Sequence, residues 1–262
     1  MPFVEGHVFV VLGLLVKHGA WGVTARPLLA RLDVGKMDLP GIDPELRPAF
    51  RTKHELAGEL LHWASTELSS RGKPLWVVAD GACAKAPFLK PAIARGITVV
   101  SRLRKDAALW TVPGQLKGGH RDRPRIYGEQ HVDLARRTGQ CRGWSSDVFD
   151  LYGKSTVKCN KTFLATWRPV GGAIRVGLVD EPSGWRAFYC TETLASVADI
   201  PGTGIVAERF SLEITLRDCK EIVGACQQQM WFLWANIGSF HVCLWTFTLT
   251  EARAWGRKLV DR

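Results

Sequence analysis

The stretch Pro74-Leu75-Trp76-Val77-Val78-Ala79-Asp80-Gly81 decides the fold class. A short apolar run, β-branched and aromatic in character and closed by an acid and a glycine, predicts a strand buried on both faces. Such strands belong to open α/β sheets, whose ligands sit outside the carboxyl ends of the strands. Asp80 stands at that end, and Gly81 lets the chain turn sharply after it. Two roles are open to Asp80 on this stretch alone: a cap for the helix that follows, or an acid with chemistry to perform.

The flanking segments complete an α/β pattern. Gly6 to Val16 and Trp21 to Leu32 are apolar and β-rich, and the link Lys17-His18-Gly19-Ala20 predicts a hairpin between them. Pro40 to Pro48 is a proline-punctuated loop. Thr52 and Glu55 have the spacing of a capping box, and Leu56, Leu60, Trp63, Ala64 and Leu68 share one helical face before Gly72. Beyond Asp80, Pro87 sits near the start of another helix that Gly96 ends, and Ile97 to Leu103 forms a further strand. Residues 1–105 are therefore the first part of an α/β core.

From Asp106 to Pro201 the turn signals come at short intervals, which predicts a β-rich subdomain, residues 106–201, spliced into that core. Within it, Val157, Cys159, Phe163, Ala165 and Trp167 alternate with Lys158, Asn160, Thr162 and Thr166, so one face is expected to be buried. Helix returns at Ile205, and residues 202–262 close the core. Ile205, Leu212, Leu216, Cys219 and Val223 make an apolar stripe, with Arg209, Glu213, Arg217 and Lys220 beside it. Glu213 is either one member of a set of i,i+4 salt bridges or a carboxylate aimed at Asp80. A last helix from Met230, carrying Trp231, Phe232, Trp234, Phe240, Leu244 and Trp245, supplies bulky core.

Composition narrows the partners. The formal charge is +10, from 35 Lys and Arg against 25 Asp and Glu, which favours a polyanion. Ser101 to Trp144 alone carries ten basic residues against four acids, a net +6. Its cations include Arg102, Arg104, Lys105, Arg121, Arg123 and Arg125, and Trp110, Tyr127 and Trp144 lie among them. That mixture suits a phosphate-backbone surface with stacking platforms, the alternative being a solvated basic loop. The seven cysteines are scattered and never spaced as C-x-x-C, which argues against a disulfide framework or zinc site and for a reducing cytoplasm. Ile222 to Thr250 has no charged residue and the length of a membrane span, but its Gln227, Gln228, Gln229, Asn236 and His241 favour a buried helix pair.

Arg209-x3-Glu213-x6-Lys220 resembles the later part of the Y-x2-R-x3-E-x6-K signature of DDE insertion-sequence transposases. Asp80-Gly81-Ala82 resembles the turn that carries the second acid of that family, and the likeness extends over nearly the whole chain. The resemblance implies a ribonuclease-H-like mixed sheet with an inserted β-rich subdomain and C-terminal helices. It further implies two Mg²⁺ (or Mn²⁺) ions held by three carboxylates for phosphoryl transfer. Asp80 and Glu213 would be catalytic metal ligands, and Arg209 and Lys220 would hold DNA phosphates near the cut. The implied partners are double-stranded DNA, at element ends and target, and a second copy in a synaptic dimer, in a bacterial-type nucleoid.

Two departures from the family pattern shape the expectations. Val206 stands where the signature has tyrosine. The first aspartate belongs on a strand preceding Gly6 to Val16, in a strand order 3-2-1-4-5, and neither Glu5 nor Asp33 can replace it. The chain therefore reads as the carboxyl-terminal part of a transposase, catalytically incomplete and prone to aggregate. A non-catalytic DNA-binding remnant is the alternative, and a membrane-associated protein a third.

Overall fold

A computed structural model describes residues 7–18, 22–68, 72–114, 125–151, 154–195, 205–228, 230 and 232–256. The chain divides into two compact units, Met1–Ala64 with Arg209–Arg262, and Ser65–Glu208.

In the first unit, β1 (Val8–His18) pairs antiparallel with β2 (Gly22–Asp33), as the hairpin pattern requires. The helix α1 (Lys53–Leu68) opens on the expected capping box. The Thr52 N–H donates to Glu55 Oε2 at 2.8 Å, and the Glu55 N–H donates back to Thr52 Oγ1 at 3.4 Å. The Thr52 N–H bond, together with one from Thr52 Oγ1 to Glu55 Oε2 at 2.9 Å, holds the Glu55 carboxyl below its ordinary pKa. Leu56, Leu60 and Ala64 are buried along the predicted face.

The helices α4 (Ile205–Ile222) and α5 (Leu233–Gly256) complete this unit. Ala30 of β2, Cys219 of α4 and Phe240, Cys243 and Leu244 of α5 form its buried core, with Phe9 stacked on Phe240. The approach is close at one point: a Cβ at Gly13 would lie 2.9 Å from Leu212 Cδ1, so a larger residue there would displace the Leu212 tip.

Side chains, rather than a third strand, satisfy the backbone groups of β2 that β1 leaves over. Thr215 Oγ1 donates to Ala25 O (3.1 Å), Thr248 Oγ1 to Pro27 O (2.8 Å) and Trp245 Nε1 to Leu28 O (2.9 Å). The Ala30 N–H donates to His241 Nε2 at 3.1 Å. His241 Nδ1 lies 2.7 Å from Ile237 O, so the neutral ring with its proton on Nδ1 satisfies both contacts. Arg26, buried in β2, pairs with Glu251 at 2.8 Å.

The second unit is built on a sheet of eight strands in the order β3-β4-β10-β9-β8-β5-β6, with β7 also paired to β8. Its strands are β3 (Trp76–Ala79), β4 (Thr98–Leu103), β5 (Leu109–Trp110), β6 (His131–Val132), β7 (Ser145–Leu151), β8 (Lys154–Trp167), β9 (Gly172–Val179) and β10 (Arg186–Cys190). Among the described residues only β3 and β4 are parallel; the other pairs are antiparallel. The helix α2 (Ala86–Ala94) connects the parallel pair, with Pro87 in its first turn and Gly96 at φ 71° beyond its end. A short α3 (Leu134–Thr138) precedes β7. This mixed α/β fold, with a large mixed sheet and C-terminal helices, is consistent with the ribonuclease-H-like class.

Three expectations are corrected. The Asp80 strand is not buried on both faces: Trp76, Val77 and Val78 are half-buried, because β3 pairs only with β4 among the described residues. Along β8, Val157 and Cys159 are exposed whereas Asn160 and Lys161 are buried. The cause is a change of neighbours, since β8 pairs with β7 up to Asn160 and with β9 from there on. Asn160 is satisfied by Asp147, and Lys161 by two carbonyls. In α5, Phe240 and Leu244 are core but Trp234 and Trp245 are half exposed, and Phe232 precedes the helix.

Among the described residues no helix is long and apolar enough to cross a membrane. The charge-free Ile222 to Thr250 stretch is divided between the last residue of α4, a connection and most of α5.

Candidate functional site

Asp80 follows β3 in extended backbone (φ −64°, ψ 148°), and its Oδ1 accepts from the Ala82 N–H at 3.0 Å. It thus caps the short 3-10 turn Gly81–Cys83, the local role that the sequence left open. The carboxylate remains exposed at the strand end, where a ligand in this fold class would lie.

The neighbouring strand supplies a cation there. Ala79 is in register with Ser101, so Arg102 is the next residue on β4. A Cβ at Gly81 would lie 3.5 Å from both Arg102 Cβ and Arg102 O, which is van der Waals contact. The turn that carries Asp80 is therefore seated against the base of Arg102, whose side chain is exposed.

The other predicted cations of this region are not equivalent. Arg104 is engaged by Asp106 through two bonds of 2.9 and 2.7 Å, which hold the Asp106 carboxyl below its ordinary value. Arg125 pairs with Glu129 four residues on. Lys105 lies 4.5 Å above the ring of Trp185. Arg121 and Arg123 lie outside the described residues.

Glu213 belongs to the other unit, on α4, half exposed and bonded to Arg209 at 2.7 Å in the i,i+4 pair expected from the spacing. Arg217 turns to Asp218 instead, and Lys220 is exposed on the same helix. The structure thus places Asp80 with Arg102 in one unit and Glu213 with Arg209 in the other.

An acid at a strand end beside a basic neighbour, in a mixed sheet followed by C-terminal helices, is consistent with a nuclease-type α/β protein. The family profile of the DDE superfamily endonucleases matches residues 4–143, more than half of the chain. The chain belongs to that family, and its function is that of a transposase-like nuclease acting on DNA. The matched span includes Asp80 and Arg102 and ends before Glu213. No curated protein matches the chain.

Endonucleases of this family use divalent metal ions, and exposed carboxylates are the right donors for a hard cation. Among the described residues, however, no three His, Cys, Asp or Glu side chains gather closely enough to hold a metal ion. The donors present do not by themselves make a closed cage.

The sequence missed the side chains that seal β2, because Thr215, His241 and Trp245 look like ordinary helix residues. It also missed a cleft of about 290 Å³ in the second unit, lined by Trp144, Trp185 and Asp180. Trp185 stands directly after the Pro182-Ser183-Gly184 turn, which was legible only as a turn.

Proposed function

We propose that this chain is an insertion-sequence transposase of the DDE type, with Asp80 and Glu213 among its catalytic acids. The observation that carries this is the Asp80 turn, seated against Arg102 at the end of β3 and inside the family match. The ions, Mg²⁺ or Mn²⁺, would supply Lewis acidity for strand cleavage when bound. Asp80 and Glu213 would hold them, and Arg102, Arg209 and Lys220 would draw DNA phosphates toward the carboxylates by charge. The substrates are duplex element ends and target DNA, brought together by a pair of copies.

A second reading is favoured by the Arg209–Glu213 pair, which is just what a merely structural helix surface would show. In that reading the chain binds DNA without cutting it. Plasmid nicking in Mg²⁺ distinguishes the two. Cleavage is expected, and Asp80→Asn or Glu213→Gln should each reduce it by about 10²–10³-fold or more, the scale for losing one group that stabilises transition-state charge. Retention of nicking in Asp80→Asn would discard the assignment, and DNA binding without any nicking would select the second reading.

A further inference from the structure

The cleft in the second unit lies between three segments: the end of α3 with the loop after it, β8, and the turn joining β9 to β10. Thr138, Cys141 and Trp144 line it from the first, Cys159 from the second, and Asp180 and Trp185 from the third. Its volume, about 290 Å³, sits at the small end of ligand sites. That suits one planar ring with its sugar better than a larger molecule.

Both indoles are held in place by lysines. Trp144 Nε1 donates to Gln140 O at 3.1 Å. Lys161, itself buried, donates to Arg137 O (2.9 Å) and Gln140 O (2.7 Å), and its ammonium lies 5.1 Å from the centre of the Trp144 ring. Lys105 covers Trp185 in the same manner at 4.5 Å. A cation over one face of an indole leaves the opposite face for a stacked ring.

The acids at the rim differ. Glu181 is paired with Lys158, and the Asp180 backbone N–H is anchored on Cys159 O at 2.9 Å. The Asp180 carboxylate is exposed and has no partner among the described residues. A carboxylate accepts only, so the ring that completes this cleft must offer donors, and two adjacent N–H groups match its two oxygens best. Among nucleobases guanine has that edge, in N1–H and the 2-amino group.

We propose that this cleft takes one unpaired guanine of a DNA strand, stacked against Trp144 and Trp185 and donating N1–H and N2–H to Asp180. The proposal rests on the chain being a DNA-acting member of its family, and it adds a base-reading site outside the Asp80 region.

The test measures binding of labelled single-stranded oligonucleotides by anisotropy at fixed salt. They differ only in one central guanine, or inosine, which lacks the 2-amino group. Duplex binding is measured in parallel. The native chain should prefer guanine by about 5- to 100-fold, the range for a bidentate base contact. Asp180→Asn should bring the two to equal affinity, with an unchanged melting curve. Trp185→Ala should weaken both oligonucleotides alike. Equal binding of guanine and inosine by the native chain, or a guanine preference that survives Asp180→Asn, overturns the site while duplex binding keeps the parent reading. If neither duplex nor single strand binds, the DNA reading fails and the cleft proposal goes with it.

Discussion

Two of the edge strands among the described residues, β2 and β3, are finished in opposite ways. β2 has its spare backbone groups met by Thr215, His241, Trp245 and Thr248. β3 has β4 on one side and no strand on the other among the described residues. The bond from Thr98 N–H to Leu75 O (3.0 Å) sets the parallel ladder, so Val77 and Ala79 bond toward β4. Trp76 and Val78 then direct their backbone groups to the open side. Among the described residues, one edge is met by side chains and the other carries no second strand.

The largest effect is expected from breaking the open edge. Unpaired strand edges recruit other chains, so the protein should associate with increasing concentration in sedimentation experiments. Val78→Pro removes only an outward N–H and should suppress that association. Val77→Pro removes a ladder bond and should instead cost folding. A monomer at all concentrations would mean that the β3 edge is covered.

The sealed edge gives smaller effects. His241→Leu strands the buried Ala30 N–H, and chemical denaturation should show a loss of about 1–3 kcal/mol, the cost of an unsatisfied buried group. Trp245→Phe keeps the packing and deletes one donor, so Leu28 O falls back on solvent. With Trp245 48% exposed, the loss should be no more than about 0.5–1.5 kcal/mol. If the two substitutions cost the same, the difference in burial between the two contacts is not what sets their strength.

The smallest effect is on DNA affinity, and it separates cations that compete with a neighbouring acid from one that does not. Arg102→Glu should weaken duplex binding and reduce the slope of log K against log salt by about one phosphate contact, roughly 0.9. Arg104→Glu should do less, because Arg104 is already engaged by Asp106. Equal slopes for both would show that Arg102 meets no phosphate.

What could be seen in the sequence were features written in local chemistry. The Thr52–Glu55 box, the hairpin of β1 and β2, the glycines ending helices and the Asp80-Gly81 turn all depend on neighbours within a few residues. What could not be seen depends on distant partners. That β3 would be an edge, that Val157 would be exposed and Lys161 buried, and that Asp180 would share a cleft with Trp144 are consequences of strand order. The Arg209–Glu213 spacing was legible as a salt bridge and as a family motif at once. The observed contact is common to both, which is why its test must be chemical.

The strand β4 binds β3 in parallel on one side and β10 antiparallel on the other, with Ser101 facing Ala79 and Tyr189. The segment from β5 to β10 therefore returns its last strand to the very ladder that carries Asp80. Removing β10 would strip β4 of a neighbour and leave the strand beside Asp80 supported on one side only. Loops along this segment can change in length, but β10 cannot be lost without remaking the platform on which Asp80 stands.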